Sequence, residues 1–283
     1  MKKRRSLRIV SLVLSGALLL SGCGQTTENG NGGENQMEAG AGNRESEQSF
    51  RNTDPELAGI AERFIQKVNE DSENLETEQM HLIAIVSLVV QQSEKMLAEE
   101  VQEALDDGTA PEAIREAVYQ CAPYVGLPRA VDALDAVNNI FVENGIELPL
   151  SSQETVDEEN RFDRGLDAQA GIFGDVMRQI AEGGEEEMER SSFYLVDNCF
   201  GDYYTREGLD LDTREMLTLA ILVNLGTESQ ISSHVAGNSN LGRSREFISD
   251  VIYQCLPYAG YPRILNALSC LNTVLPQEDQ PKD

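Results

Sequence analysis

Positive charge is scarce in this chain: 22 Lys and Arg stand against 49 Asp and Glu, a formal net charge of −27. Nucleic acid and anionic membrane surfaces both demand basic patches, so this balance argues against either as a partner of the folded part. The acid excess serves solubility and self-repulsion. The acidic runs Glu185-Glu-Glu187 and Asp157-Glu-Glu159 lack the ligand spacing and the glycine of a calcium loop. Histidine is scarcer still. Only His81 and His234 occur in 283 residues, so the side chain best suited to proton transfer near neutral pH has two candidate positions. No alternating run of apolar and polar residues is long enough for a sheet, which leaves helices.

The N-terminus reads as a signal peptide over residues 1–22. Lys2, Lys3, Arg4, Arg5 and Arg8 form a basic region, and residues 9–20 form an apolar run too short for a comfortable permanent span. Leu20-Ser-Gly-Cys23 resembles a bacterial lipobox. That resemblance implies lipidation of Cys23 and a lipid-anchored protein on the extracytoplasmic face of the bacterial cell membrane, attached through its N-terminal lipid only. Residues 23–52 are rich in Gly, Asn, Glu and Gln and poor in large apolar side chains, and read as a flexible tether. Five of the 22 basic groups lie in residues 1–22, so the remainder carries 17 against 49 acidic groups and a formal charge of −32. About 225 residues are left for folding, enough for a substantial core.

Those residues contain one phrase twice. Tyr119-Gln-Cys-Ala-Pro-Tyr-Val-Gly-Leu-Pro-Arg129 returns 134 residues later as Tyr253-Gln-Cys-Leu-Pro-Tyr-Ala-Gly-Tyr-Pro-Arg263, identical at eight of eleven positions. Upstream, Leu75-Glu-Thr-Glu-Gln-Met80 matches Leu211-Asp-Thr-Arg-Glu-Met216 at an offset of 136, which implies two extra residues in the first copy near Gln91-Gln-Ser93. Two units follow, 53–148 and 160–276, with a turn-rich join at 149–158.

Both units read as helices. Thr109-Ala-Pro-Glu112 has the form of a capping box with Pro in the first turn. Ile114, Ala117, Val118 and Cys121 then recur at helical spacing, as do Ile248, Val251, Ile252 and Cys255. Pro123 and Pro257 should end that helix. The segments 161–180 and 185–204 also read as helices. The expected fold is all-α, two tandem helical units packed pseudo-symmetrically.

His81 opens an apolar helix and reads as a helix-end or core-edge residue. His234 lies on a helix of small and polar residues, and at the 134 offset its counterpart is Glu100. Such an exchange between copies points to a site in one copy or in neither. Cys121 and Cys255 lie on apolar faces, where cysteine acts as a small hydrophobe. Cys199 reads as the exposed thiol, and with Cys270 these cysteines leave three possible pairings.

The segment Phe200-Gly-Asp-Tyr-Tyr-Thr-Arg-Glu-Gly-Leu-Asp-Leu-Asp-Thr-Arg-Glu-Met216, followed by His234, Gly242, Glu246-Phe-Ile248, Gln254 and Tyr258-Ala-Gly-Tyr-Pro262, resembles the carboxymuconolactone decarboxylase family of the AhpD-like superfamily. The likeness is close over 190–275 and looser over 55–145. It implies an all-helical fold, often in homo-oligomers, and a decarboxylase acting on a small carboxylated lactone without metal or organic cofactor. It places His234 at the motif histidine, Arg214 at the Thr-Arg position and Tyr258 in the Tyr-Gly-Pro turn. Arg214 would then clamp the substrate carboxylate and His234 would manage the proton at the developing carbanion. Where the family commonly has Glu-Leu-x-x-His, this chain has Gln230-Ile-Ser-Ser-His234, so the carboxylate four residues before the histidine is missing, and Glu228 lies on another side of the helix. The peroxidase branch of the superfamily uses Cys-x-x-Cys, which does not occur in this chain. A small-ligand-binding lipoprotein on the same fold is the non-catalytic alternative, and a thiol peroxidase working through Cys199 is the third.

Overall fold

The computed structural model describes residues 50–181 and 186–277. The expected signal peptide, the lipidated Cys23 and nearly all of the tether lie outside the described residues. Helix α1 (Phe50–Thr53) opens the folded part three residues earlier than expected. The first unit continues with α2 (Pro55–Asp71), α3 (Thr77–Gln91), α4 (Glu94–Asp106), α5 (Pro111–Val125) and α6 (Leu127–Glu143). A helix-free join leads to α7 (Arg161–Phe173), α8 (Val176–Ala181), α9 (Glu186–Tyr194) and a π-helical segment, Leu195–Tyr204. The second unit then runs α10 (Leu211–Leu225), α11 (Glu228–Asn240), α12 (Arg245–Gln254), the single turn α13 (Leu256–Ala259) and α14 (Tyr261–Val274). No strand occurs among the described residues.

Two helices form the centre. Residues 82–90 of α3 are buried without interruption, and so are residues 214–224 of α10. A helix buried on every side needs neighbours all round, and these two pack on each other and on the helices of both units. The apolar side chains of the two units form one continuous core, with Ile83, Ile85, Val86, Leu217, Ile221 and Val223 wholly inaccessible. Each such side chain is worth about 1.5–3 kcal/mol relative to exposure. The surrounding helices α2, α4, α5, α6, α12 and α14 are amphipathic and bury one face each.

The two copies superpose in sequence at a constant offset of 134. Helix α3 and helix α10 both span 15 residues, N-capped at Glu76 and Asp210 and closed by left-handed residues Gln92 (φ 56°) and Gly226 (φ 76°). Helices α4 and α11 both span 13 residues, and α6 and α14 both begin after a positive-φ glycine, Gly126 or Gly260. The expected insertion near Gln91 is therefore absent. The letters Leu-x-Thr-x-x-Met repeat, but Leu75 precedes α3 while Leu211 is the first residue of α10. Thr109 is also not a cap: Ala110 takes that position before Pro111, and the Thr109 amide donates to Ala104 O at 2.8 Å, closing α4. Pro123 lies inside α5, which runs two residues further, whereas the matched helix breaks at Cys255 before Pro257.

The centrality of α10 predicts its cost of truncation. Ile221→Ala should lower unfolding free energy by about 2–5 kcal/mol in urea denaturation, and Leu265→Ala, at a 64 % exposed position, should change it by under about 0.5 kcal/mol.

Candidate functional site

His234 lies on α11 with its ring nearly buried, and its Nδ1 is 2.7 Å from Oε1 of Glu215 on α10. The carboxyl group of Glu215 has no exposed surface. The hydroxyl of Tyr204, at the end of the π-helical segment, donates to Glu215 Oε2 at 3.3 Å and lies 2.6 Å from Thr218 Oγ1. Tyr124 of α5 places its hydroxyl 2.9 Å from that of Tyr204, and the Cys199 thiol donates to Tyr124 at 3.8 Å. Phe173 stands edge-on to the imidazole with ring centres 5.3 Å apart, and Tyr124 does so at 6.4 Å. Ile172, Phe200, Leu211 and Leu241 complete an apolar wall. Among the described residues none hydrogen-bonds His234 Nε2.

Local sequence explains the closeness of these parts. A β-carbon at Gly237, one turn beyond His234, would collide with Glu215 Oε1 and with Ile172, so only glycine leaves room for the pair. Asn238 then donates to the carbonyls of Glu215 and His234 at 3.2 and 2.9 Å, tying α10 to α11. Gly165 of α7 and Gly201 of the π-helical segment face each other's backbones, and a β-carbon at either would strike Val196 O or the Arg161 side chain. That close approach seats the π-helical segment, a backbone form frequent at functional sites, against α7, and its last residue Tyr204 reaches Glu215.

Burial governs the electrostatics. It pushes the Glu215 carboxyl up, opposed by His234 and by the Tyr204 hydroxyl. It raises Tyr124 and Tyr204 well above the ordinary phenol range and Cys199 up to about 12. These three groups therefore remain protonated donors near neutral pH, and Cys199 is a buried thiol rather than an exposed one. Cys121, Cys255 and Cys270 are also free and buried. Among the described residues no three His, Cys, Asp or Glu side chains gather as metal ligands would.

Arg214 forms no hydrogen bond with His234. Its side chain is inaccessible and every polar partner is protein: Nη1 donates to Gln120 Oε1 at 3.2 Å, and Nη2 to Glu116 Oε2 at 3.0 Å and to the carbonyls of Arg206 and Glu207 at 3.1 and 3.0 Å. Arg206 adds two bonds to Glu116, at 2.8 and 3.0 Å. Both terminal nitrogens are thus held by protein, and the buried Nε has no partner among the described residues. The burial of Arg214 follows from its place in the fully buried stretch of α10. Tyr258 lies elsewhere. It lies under the electrostatic influence of Glu100 and Glu103 in the first unit, and its place beside His234 is taken by Tyr124.

The 134 register makes sense of this exchange. Tyr124 and Tyr258 are matched residues, and each serves the other copy. Glu116, Gln120 and Tyr124 form one stripe on α5, at a spacing of four, that reaches the second unit. Their counterparts are Asp250, Gln254 and Tyr258. Asp250 accepts from the Asn74 backbone and side chain at 3.0 and 2.8 Å, and Gln254 donates to Asn69 at 3.1 Å. The missing partner of His234 is also found by this register, since Glu215 matches His81 and His234 matches Glu100. The first unit therefore holds the same pair with its members exchanged: His81 Nδ1 lies 2.7 Å from Glu100 Oε1. There the other ring nitrogen is occupied too, by Asp107 at 3.0 Å.

A model of the carboxymuconolactone decarboxylase family matches residues 55–139 and 194–273. Among curated proteins, 4-carboxymuconolactone decarboxylase of Acinetobacter baylyi is 27 % identical over 109 residues, 38 % of this chain and 81 % of that protein. Nitrosuccinic acid decarboxylase npaB of Metarhizium robertsii is 25 % identical over 122 residues, 42 % of this chain and 85 % of that protein. An uncharacterized 15.0 kDa protein of Paracoccus denitrificans is 30 % identical over 88 residues, 30 % of this chain and 66 % of that protein.

The occupied pair of the first unit carries a pH signature. The hydrogen bond to Glu100, with Asp107 adding to it against the burial that opposes it, raises His81 from its ordinary 6.5 to about 9. A folded-state value above the unfolded one stabilises the fold fully below about pH 6.5 and loses that stabilisation as pH rises through about 9. His81→Gln should therefore be destabilising in urea denaturation at pH 6, and the gap from the unsubstituted protein should shrink by pH 10.

Proposed function

Because the chain belongs to the carboxymuconolactone decarboxylase family, we propose that it is a cofactor-independent decarboxylase, centred on His234 and Glu215, that acts on a small carboxylated molecule. The observation carrying this reading is a histidine held at Nδ1 by a buried carboxylate, with Nε2 unclaimed beside an aromatic wall. Two of the similar proteins are decarboxylases by name, which supports the reaction class.

Nucleophile, metal and guanidinium clamp have no part in the proposed chemistry. The leaving carboxylate is placed against the half-buried ring of Phe173, backed by the buried Ile172 and Phe200, where localised negative charge is poorly solvated. As the carbon–carbon bond breaks, its electron pair moves onto the adjacent carbon and CO2 departs. The developing charge is thus dispersed away from the apolar wall. Nε2–H of the imidazolium protonates that carbon, and solvent returns a proton to Nε2. Glu215 stabilises the imidazolium and fixes its orientation. Tyr124 and Phe173 exclude water from the imidazole edges.

The proposed location is the extracytoplasmic face, through a lipid on Cys23. The Leu20-Ser-Gly-Cys23 segment supports this. No helix among the described residues is long and apolar enough to cross a membrane.

CO2 release from a panel of carboxylated lactones and keto acids, measured with the purified protein, tests the reading. His234→Ala should lower kcat by about 10²–10⁴-fold, the usual worth of a positioned acid or base. Glu215→Gln should lower it in the same direction, and Tyr258→Phe should leave it unchanged. Equal release with and without His234 would sink the proposal. Saturable binding of panel compounds with no release would instead establish the ligand-binding alternative.

A further inference from the structure

Arg214 is 0 % exposed and forms no hydrogen bond with His234, yet it is linked to that histidine by an unbroken series of side chains. The donors in the series are fixed from its two ends. A guanidinium can only donate. Its Nη1 therefore requires the oxygen of the Gln120 amide at 3.2 Å, which turns the amide nitrogen toward Thr218 Oγ1 at 3.1 Å. At the other end a carboxylate can only accept, so the Tyr204 hydroxyl donates to Glu215 Oε2 at 3.3 Å. With its one proton so placed, the Tyr204 oxygen accepts from Thr218 at 2.6 Å and from Tyr124 at 2.9 Å, and the Cys199 thiol donates to Tyr124 in turn.

We propose that Arg214, acting through Gln120, Thr218 and Tyr204, is a positioning residue: it supports a donor on one oxygen of Glu215, keeps that group an acceptor toward His234, and so holds a ring proton on Nδ1, leaving Nε2 to take up and deliver the transferred proton. This rests on the reading of His234 as the active centre. It also gives the first unit a direct part in the second unit's site, because Gln120 and Tyr124 belong to α5. The opposite arrangement is chemically well defined. Burial alone pushes Glu215 toward its protonated form; a protonated Glu215 would donate to Nδ1 and leave the ring proton on Nε2, where no lone pair remains to take up a proton from solvent. The groups at the ring are Glu215 on α10, Tyr124 on α5 and the uncharged Phe173 on α7; behind them Tyr204 of the π-helical segment bonds Glu215 and Cys199 bonds Tyr124.

The chain has two histidines, so nuclear magnetic resonance of isotopically labelled imidazole nitrogens reads this directly in the purified protein, with His234→Gln identifying which signals belong to His234. The neutral form of His234 should be the Nδ1–H tautomer. Tyr204→Phe removes the donor from Glu215, strengthens its hold on the shared proton, and should move the Nδ1–H proton signal of His234 downfield. Gln120→Leu should move it the same way, and Thr218→Ser, which keeps the hydroxyl, should not. An Nε2–H tautomer in the unsubstituted protein overturns the proposal, as do Nδ1–H signals in Tyr204→Phe and Gln120→Leu that stay where they were. Should either variant fail to fold, the tautomer of the unsubstituted protein decides. Turnover is not read, so a protein inactive on every substrate offered would defeat the decarboxylase reading and leave this one standing or falling by the spectrum.

Discussion

The constraint on which the rest of the structure depends is the inaccessible carboxylate of Glu116. It comes from the first unit and meets two guanidinium groups of the second, Arg206 and Arg214. Taking such charges out of water costs several kcal/mol per ion, and the cost is offset only when geometry is good and the remaining donors are satisfied. Here Arg214 finds Gln120 and two backbone carbonyls for its terminal nitrogens, though its buried Nε has no partner among the described residues, and these bonds pin the loop leading into α10 against α5. An apolar interface between two similar helical units would tolerate sliding by a turn. A buried ion cluster does not, because a slip would leave charges unpaired. The cluster thus sets the register in which Tyr124 and Gln120 arrive beside Glu215, and the depth of the core around α3 and α10 gives that register its stability.

Much of the fold is legible in the letters. Helical periodicity, Pro at helix starts and glycine at matched turns give two all-α units, and the doubled phrase gives their relation. The site is less legible, for a specific reason. In the 136 alignment His81 faces Leu217, and the histidine–carboxylate pair is invisible. In the 134 register His81 faces Glu215 and Glu100 faces His234, and the pair appears in both copies with its members exchanged. Helix caps and left-handed C-termini at Gln92 and Gly226 decide between the two registers, because they record where helices begin and end. The repeated Leu-x-Thr-x-x-Met letters do not.

The doubled phrase also hides which site each of its residues serves. Its tyrosine and glutamine lie on a helix that packs against the other unit, so the copy nearer His234 in sequence belongs to the other unit's environment. Tyr258 therefore misleads as a partner of His234, and Arg214 misleads because a Thr-Arg motif says nothing about whether the guanidinium is free. Burial decides that, and the burial of α10 arises from packing between units, which no local pattern reports. Cys199 fails as an exposed thiol for the same reason: the glycines at 165 and 201 bring α7 against the π-helical segment closely enough to enclose it.

The exchange of His and Glu between copies distinguishes the two pairs chemically. In the first unit the imidazole is gripped at both nitrogens by carboxylates, a strong ion triad with no free lone pair or proton to offer. In the second unit the carboxylate lies on the central helix, wholly buried and supplied with a second donor, and the imidazole lies on the outer helix with one nitrogen unclaimed. Swapping the positions moves the charge that must be desolvated to the deeper helix, where the Tyr204 hydroxyl can stabilise it, and moves the imidazole to the outer helix. The same two residues at the same spacing thus give a stabilising contact in one copy and an arrangement suited to acid–base work in the other. The difference follows from which helix carries the acid, and from the Arg214 series that determines how that acid is held.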